Sequence, residues 1–260
     1  MIRCFKKSML ATGLVWALAI VIAVLVWIRN ADRELYIPII ATICLLGIGY
    51  ISGKLLGSII AARENQKLLS LLHVDLEPEK FIEAYREIPA KADKGADRII
   101  AYSYLADGYA AAGDPDRALE TLSAEVTDKH GNKKDSLICL YFNNRCHYQL
   151  LAGQKDEAKH SQAALLKAIA GAKAQNPDLA KNMNEKAFLW ENYLKYYDGK
   201  PVNVTDLERF ISKSQFAIDR LEGKYLLKLH YERGHQKDES ARLAQEIKNE
   251  GGKHFLVSKV

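Results

Sequence analysis

The sequence predicts an all-α protein: an N-terminal two-helix transmembrane hairpin followed by an α-solenoid of helix–turn–helix repeats. Three observations carry this expectation. Nearly all the unbroken apolar sequence lies before residue 62. Beyond it, charged and apolar residues alternate at helical spacing, with almost none of the strict alternation of a strand. The prolines and glycines of that part fall between the apolar helical stripes instead of within them. A mean hydropathy of −0.18 is therefore an average over two solvents, lipid for one part and water for the other. Four cysteines exclude a disulfide-stapled miniprotein, and the 48% hydrophobic content excludes a disordered chain.

The hairpin occupies residues 1–62, with helices at about 9–28 and 36–60. From Met9 to Ile28 there is no charge, and at about 1.5 Å per residue the run spans about 30 Å of hydrocarbon. A cleaved signal peptide is the alternative, but the run exceeds the roughly 7–15 residues of a signal core and lacks an A-x-A site near its end. The second run starts at Tyr36 and continues past Lys54, whose ammonium can snorkel to the interface. Arg3, Lys6, Lys7, Lys54, Arg63 and Lys67 lie near the two outer ends, against Arg29 and Arg33 in the turn. The positive-inside rule then places both termini and the rest of the chain in the cytoplasm of an integral membrane protein, with the bacterial cytoplasmic membrane as the expected location. Along the second helix Gly49, Gly53, Gly57 and Ala61 recur every fourth residue, a small-residue packing stripe. Its expected partner is the first helix, where Gly13, Ala17, Ala19 and Ala23 are small; a second copy or another membrane protein is the alternative.

Residues 63–76 form a helical linker in this reading, since Leu68, Leu69, Leu71 and Leu72 extend the pattern of the second helix, and residues 77–260 form the cytosolic repeat domain. Residues 1–62 hold six basic and two acidic side chains of the chain's 37 and 32, leaving 31 and 30 beyond them. So balanced a domain lacks the basic excess of a nucleic-acid binder, and no nucleic acid partner is expected. Helix starts are signalled by Asp114 before Pro115, by Asn176 before Pro177, and by Thr205 with Glu208 as a capping box. Pro89 is expected to end the helix holding Phe81, Ile82 and Tyr85, and Gly113, Gly153, Gly199 and Gly234 mark turns 40, 46 and 35 positions apart.

Residues 99–126 resemble a tetratricopeptide repeat, with Tyr102, Leu105, Ala106, Tyr109, Ala118 and Leu122 at its large and small positions. Small Ala106 and Ala118 let two helices approach while Tyr102, Leu105 and Tyr109 line one face. Units at 139–166 and 220–247 are degenerate: Phe142, Cys146, Ala158, Leu226, Leu227 and Leu243 fit, whereas Arg145, Gln149 and Glu239 depart from the pattern. Several bacterial membrane proteins are similar in plan, with a short hydrophobic hairpin before a cytosolic repeat domain. The resemblance implies a groove lined by first-helix positions that the core does not use: Ser103, Asp107, Asn143, His147, Lys224 and Lys228. The chaperone-binding members clamp a C-terminal carboxylate with Lys and Asn where this chain has Ser103 and Asp107, so that ligand is not implied. Lys224 and Lys228, one turn apart, are candidates for an acidic partner segment.

No P-loop, dinucleotide fingerprint, H-E-x-x-H, G-x-S-x-G or C-x-x-C is present, so no enzymatic activity, cofactor or metal is expected. Cys139 and Cys146 lie seven apart with Phe142 between them, a spacing of buried core cysteines rather than zinc ligands. Phe188, Trp190, Tyr193, Tyr196 and Tyr197 cover more than one helical face, so part of the cluster is expected in the core and one or two rings outside it. The expected function is a membrane-anchored scaffold or adaptor that binds a protein partner at the cytoplasmic face. The alternative is an accessory subunit of a transport or export complex assembled through the hairpin.

Overall fold

The computed structural model describes residues 4–30, 36–92, 95–122, 134–174 and 176–260. Arg3, Arg33 and residues 123–126 of the best repeat match lie outside them. All regular structure in the described residues is helical. The chain divides into two compact units, Met1–Lys67 with Lys91–Asp93, and Leu68–Ala90 with Lys94–Val260.

The first unit holds α1 (Lys6–Arg29) and most of α2 (Tyr36–His73). Both are long and apolar enough to cross a membrane. Their large side chains point outward: Leu14, Ile28 and Ile51 are 71%, 70% and 67% exposed. The helices run antiparallel with the small-residue stripe between them. A Cβ at Gly49 would lie 2.4 Å from that of Ala19, and one at Gly53 3.3 Å from the Thr12 carbonyl oxygen. Ser8 Oγ donates to the Gly57 carbonyl at 2.7 Å, and Thr12 Oγ1 to that of Gly53 at 3.2 Å. Such hydroxyl-to-carbonyl bonds form only where no side chain holds the backbones apart, which is what the glycines provide. Of the small residues on α1, Ala19 and Ala23 are buried, while Gly13 and Ala17 are exposed.

The second unit contains the end of α2, then α3 (Pro78–Tyr85), α4 (Ile88–Lys91, whose last residue belongs to the first unit), α5 (Ala96–Ala111), α6 (Pro115–Thr121), α7 (Lys134–Leu151) and α8 (Lys155–Ala172). It continues through α9 (Pro177–Tyr197), α10 (Val204–Lys213), α11 (Ala217–Arg233) and α12 (Lys237–Glu250) to a terminal 3₁₀ helix at Phe255–Lys259. Successive helices pack on one another, with the main contacts in the pairs α5/α6, α7/α8, α8/α9, α10/α11 and α11/α12. Ala106 and Ala118, the small residues of the best repeat match, are both fully buried. A contiguous core runs from Cys139 and Cys146 through Leu165, Leu189 and Trp190 to Leu226 and Leu243.

Two start signals act as the sequence predicts: Asp114 accepts from the Arg117 amide at 3.1 Å, and Asn176 from that of Leu179 at 3.1 Å. The third start differs, because Asn203 caps α10 by accepting from the Asp206 amide at 3.1 Å, which leaves Thr205 inside the helix. Asn is the stronger cap, and its amide is itself held by the Asp206 carboxylate. Pro89 also differs: α3 stops at Tyr85, and the proline lies in the first turn of α4, where its missing N–H costs nothing. Gly113, Gly153 and Gly199 take φ of +88°, +74° and +73°, whereas at the fourth turn it is His235, at +59°, and not Gly234 that turns left-handed.

Candidate functional site: a paired-charge face on the long helices

Helices α5, α7, α9 and α11 each bring ionisable or hydrogen-bonding side chains into a largely buried polar network along one side of the row they form. Asp107 comes from α5, Asn143, His147 and Tyr148 from α7, Lys186 and Trp190 from α9, and Asp219 and Glu222 from α11. Tyr148 donates its hydroxyl to Asp107 Oδ1 at 2.5 Å. His147 Nε2 meets Glu222 Oε1 at 2.9 Å, and its ring stacks on Trp190 with centroids 4.4 Å apart and planes at 12°. Trp190 Nε1 donates to Asn143 Oδ1 at 2.9 Å, and Tyr193 donates to the Glu222 carbonyl at 2.9 Å. Lys186 pairs with Asp219, whose other oxygen accepts from Ser214 Oγ at 3.2 Å.

Burial and pairing set the charges. Burial pushes the Asp107 carboxyl up to about 6, against the pull of the Tyr148 hydroxyl and the nearby His147 and Lys186. Burial also raises Glu222, but His147 and Lys186 outweigh it and hold the carboxyl below its ordinary range. For Lys186 burial pulls downward, and Asp219 and Glu222 more than restore the ammonium. The Tyr148 hydroxyl is held well above its ordinary value, by burial first and then by Asp107. His254 is 2% exposed, and burial pushes it down to about 4 although Glu222 opposes the shift.

Two titration effects follow. Asp107 has a folded pKa above its unfolded value, so its contribution is fully present below about pH 4 and is lost as pH rises through about 6. Asp107→Asn is therefore expected to raise unfolding free energy at pH 7 by about 1–3 kcal/mol, read by urea denaturation, with no gain at pH 4. His254 has the opposite sense, because the unfolded chain binds its proton first. Stability from this group is lost as pH falls from about 6.5 toward 4. His254→Gln is expected to remove about 2–3 kcal/mol of acid destabilisation, seen as a smaller shift of the urea midpoint between pH 7 and pH 4.5.

Of the six groove candidates, Asn143 and His147 meet through Trp190, and Asp107 is bonded to Tyr148 beside His147. Ser103 and Asn143 are buried, unlike the open groove positions the sequence predicts, and Asp107 and His147 are half-buried. Lys224 and Lys228 are buried in other pairings. Lys224 Nζ lies 2.7 Å from Glu250 and 2.9 Å from Glu246, and Lys228 Nζ 2.8 Å from Glu232. Burial pulls the Lys224 ammonium down, and its two carboxylates lift it above the ordinary value. In the aromatic cluster Trp190 and Tyr193 are core, while Phe188, Tyr196 and Tyr197 are half-buried, so no ring stands fully outside. Lys186, Asp219, Glu222 and His254 escaped the sequence reading. The available signal was Asp219 and Glu222, two carboxylates among Ile218, Leu221 and Leu226 on an otherwise apolar helix face.

Cys139 and Cys146 are fully buried, and burial pushes the Cys146 thiol up to about 12, which makes it a packing group and not a nucleophile. No metal-holding group of three ligands occurs among the described residues. A separate open concavity of about 600 Å³ lies between α9 and α10, walled by Phe188 and Phe210 and rimmed by Lys181, Arg209 and Lys213. Arg209 is turned to Asp206 at 2.9 Å, and none of the six groove candidates lines this concavity. No protein-family model, curated protein or solved structure matches the chain.

Proposed function

We propose that the chain is a membrane-anchored, tetratricopeptide-like adaptor. In this reading α1 and α2 hold it in the bilayer with both termini on the cytoplasmic side. The face built by α5, α7, α9 and α11 binds a segment of a protein partner. One observation carries the reading: α5, α7, α9 and α11, alternate helices that pack in a row on one another, align polar and charged side chains along the row, as the first helices of a repeat array do along a groove. Anchoring makes a weak contact effective, since tethering turns it into a nearly intramolecular one. The packing of Gly49, Gly53 and Gly57 against α1 supports an anchoring role for the hairpin over a partner-facing one.

The test is cross-linking of the full chain in native membranes with mass spectrometric mapping, alongside Gly53→Leu. The adaptor reading expects one partner whose cross-links fall on residues 96–260 and survive Gly53→Leu. Cross-links confined to α1 and α2, and lost in that variant, would establish the accessory-subunit alternative instead.

A further inference from the structure

In the second unit α5 packs closely on α6, α7 on α8 and α11 on α12. The pair α9 and α10 is different. Its turn is closed: Asn203 donates its amide to Asn192 Oδ1 of α9 at 3.0 Å, and Val202 and Leu207 join the core there. From that turn α10 runs onto α11 and makes no comparable contact with α9. Gly223 of α11 admits it, since a Cβ there would lie 2.7 Å from Ile211 Cγ1 and 3.5 Å from Phe210 Cδ1. The first half of α9 therefore lacks the second helix that covers α5, α7 and α11, and the open concavity of about 600 Å³ lies in this gap.

The gap has aromatic walls and a basic rim. Phe188 of α9 and Phe210 of α10 are half-buried, and among the described residues neither has a ring partner. Lys173 and Lys181 come from the end of α8 and from α9, and Arg209 and Lys213 from α10, so cations stand on both sides. Of the two carboxylates in the lining, Asp206 is taken by Arg209 at 2.9 Å, which leaves Glu185 against three exposed lysines. Among the described residues none of those lysines is in an ion pair. The lining runs along α9 from Pro177 to Phe188, about 17 Å or three helical turns, which is long for one small anion.

We infer that this cleft docks an acidic amphipathic helix of a protein partner. Its apolar face lies between Phe188 and Phe210, and carboxylates on its flanks meet Lys173, Lys181 and Lys213. The occupant supplies the helix cover that α10 withholds from α9. Of the residues that line the cleft, Ser214 alone joins the buried polar network, through its bond to Asp219. The cleft is thus a second surface, and its occupation does not depend on the adaptor reading of the row formed by α5, α7, α9 and α11.

The probe is a fluorescently labelled peptide of about twelve residues, with Leu and Phe at helical spacing and Glu on both flanks. It is titrated by fluorescence anisotropy into the full chain in phosphatidylcholine nanodiscs, with empty nanodiscs as the blank. One peptide is expected to bind per chain, more weakly as salt rises. Lys181→Glu/Lys213→Glu replaces exposed side chains only, and is expected to weaken binding at least about tenfold. The same variant is expected to bind a Lys-flanked version of the peptide better than the unaltered chain does. A peptide with Ser in place of Leu and Phe is expected not to bind. Equal affinity of the charge variant and the unaltered chain overturns the proposal, as does the absence of saturable binding. Equal binding of the Ser peptide overturns it too, because the aromatic walls would then play no part. 4-Phenylbutyrate is titrated alongside, and its binding without that of the peptide would make the cleft a small-anion site and overturn the helix. A concentration-dependent dimer abolished by the charge variant would make a second copy the occupant, again overturning the partner.

Discussion

Glu222→Ala is expected to lower the unfolding free energy by about 3–5 kcal/mol at pH 7, the range for removing one member of a buried ion pair. The carboxylate is 4% exposed and is the acceptor for His147 Nε2 at 2.9 Å. It also stabilises the Lys186 ammonium, second only to Asp219 among the groups that lift it. Removing it strands a histidine N–H without its acceptor and leaves the half-buried Lys186 with Asp219 as its paired counter-charge. Both are costlier than the pair was beneficial. Glu222→Gln keeps an oxygen for His147 and removes only the charge, so it is expected to cost less than half as much. Because the Glu222 carboxyl is held below its ordinary range, its stabilisation is present above about pH 4 and is lost as pH falls through the lowered folded value. The gap between wild type and Glu222→Gln in urea denaturation, followed by far-ultraviolet circular dichroism, should therefore close in acid. Equal stability of Glu222→Ala and wild type at pH 7 would mean that the paired face contributes nothing to the fold.

How much of this was legible depended on the range of the interaction. Caps at Asp114 and Asn176 are settled within three residues, and the sequence carries them whole. The groove positions Ser103, Asp107, Asn143 and His147 came from the repeat register that the resemblance implies, and the register alone did not indicate that Ser103 and Asn143 would be buried. The pairing of Lys224 was hidden too, because its carboxylates at Glu246 and Glu250 sit on the next helix and depend on how α11 and α12 cross. Nothing local in His254–Val260 announces where it docks. It has no helical stripe, and Phe255 meets Gly113 across most of the second unit. A similar limit hid Lys186, whose partner Asp219 lies 33 positions away.

Trp190→Ala is expected to cost about 4–5 kcal/mol, at the upper end for truncating a buried aromatic residue. The indole is 2% exposed, stacks on His147 and donates to Asn143 at 2.9 Å. Transfer and cavity terms account for most of the loss, and the orphaned Asn143 oxygen adds about 1 kcal/mol or more. Trp190→Phe separates these contributions, since it keeps a ring beneath His147 while deleting the donor; about 1–2 kcal/mol is expected, measured by the urea midpoint. The stack also fixes the plane of the His147 ring and so aims Nε2 at Glu222. If that is its role, Trp190→Ala and Glu222→Gln combined should cost less than the sum of the two by about 1 kcal/mol, because each weakens the same bond. Strict additivity would reduce Trp190 to a filler of space. Coupling would instead make the indole the group that orients the charged face, with the hydrogen-bonding geometry of that face set from the core beneath it.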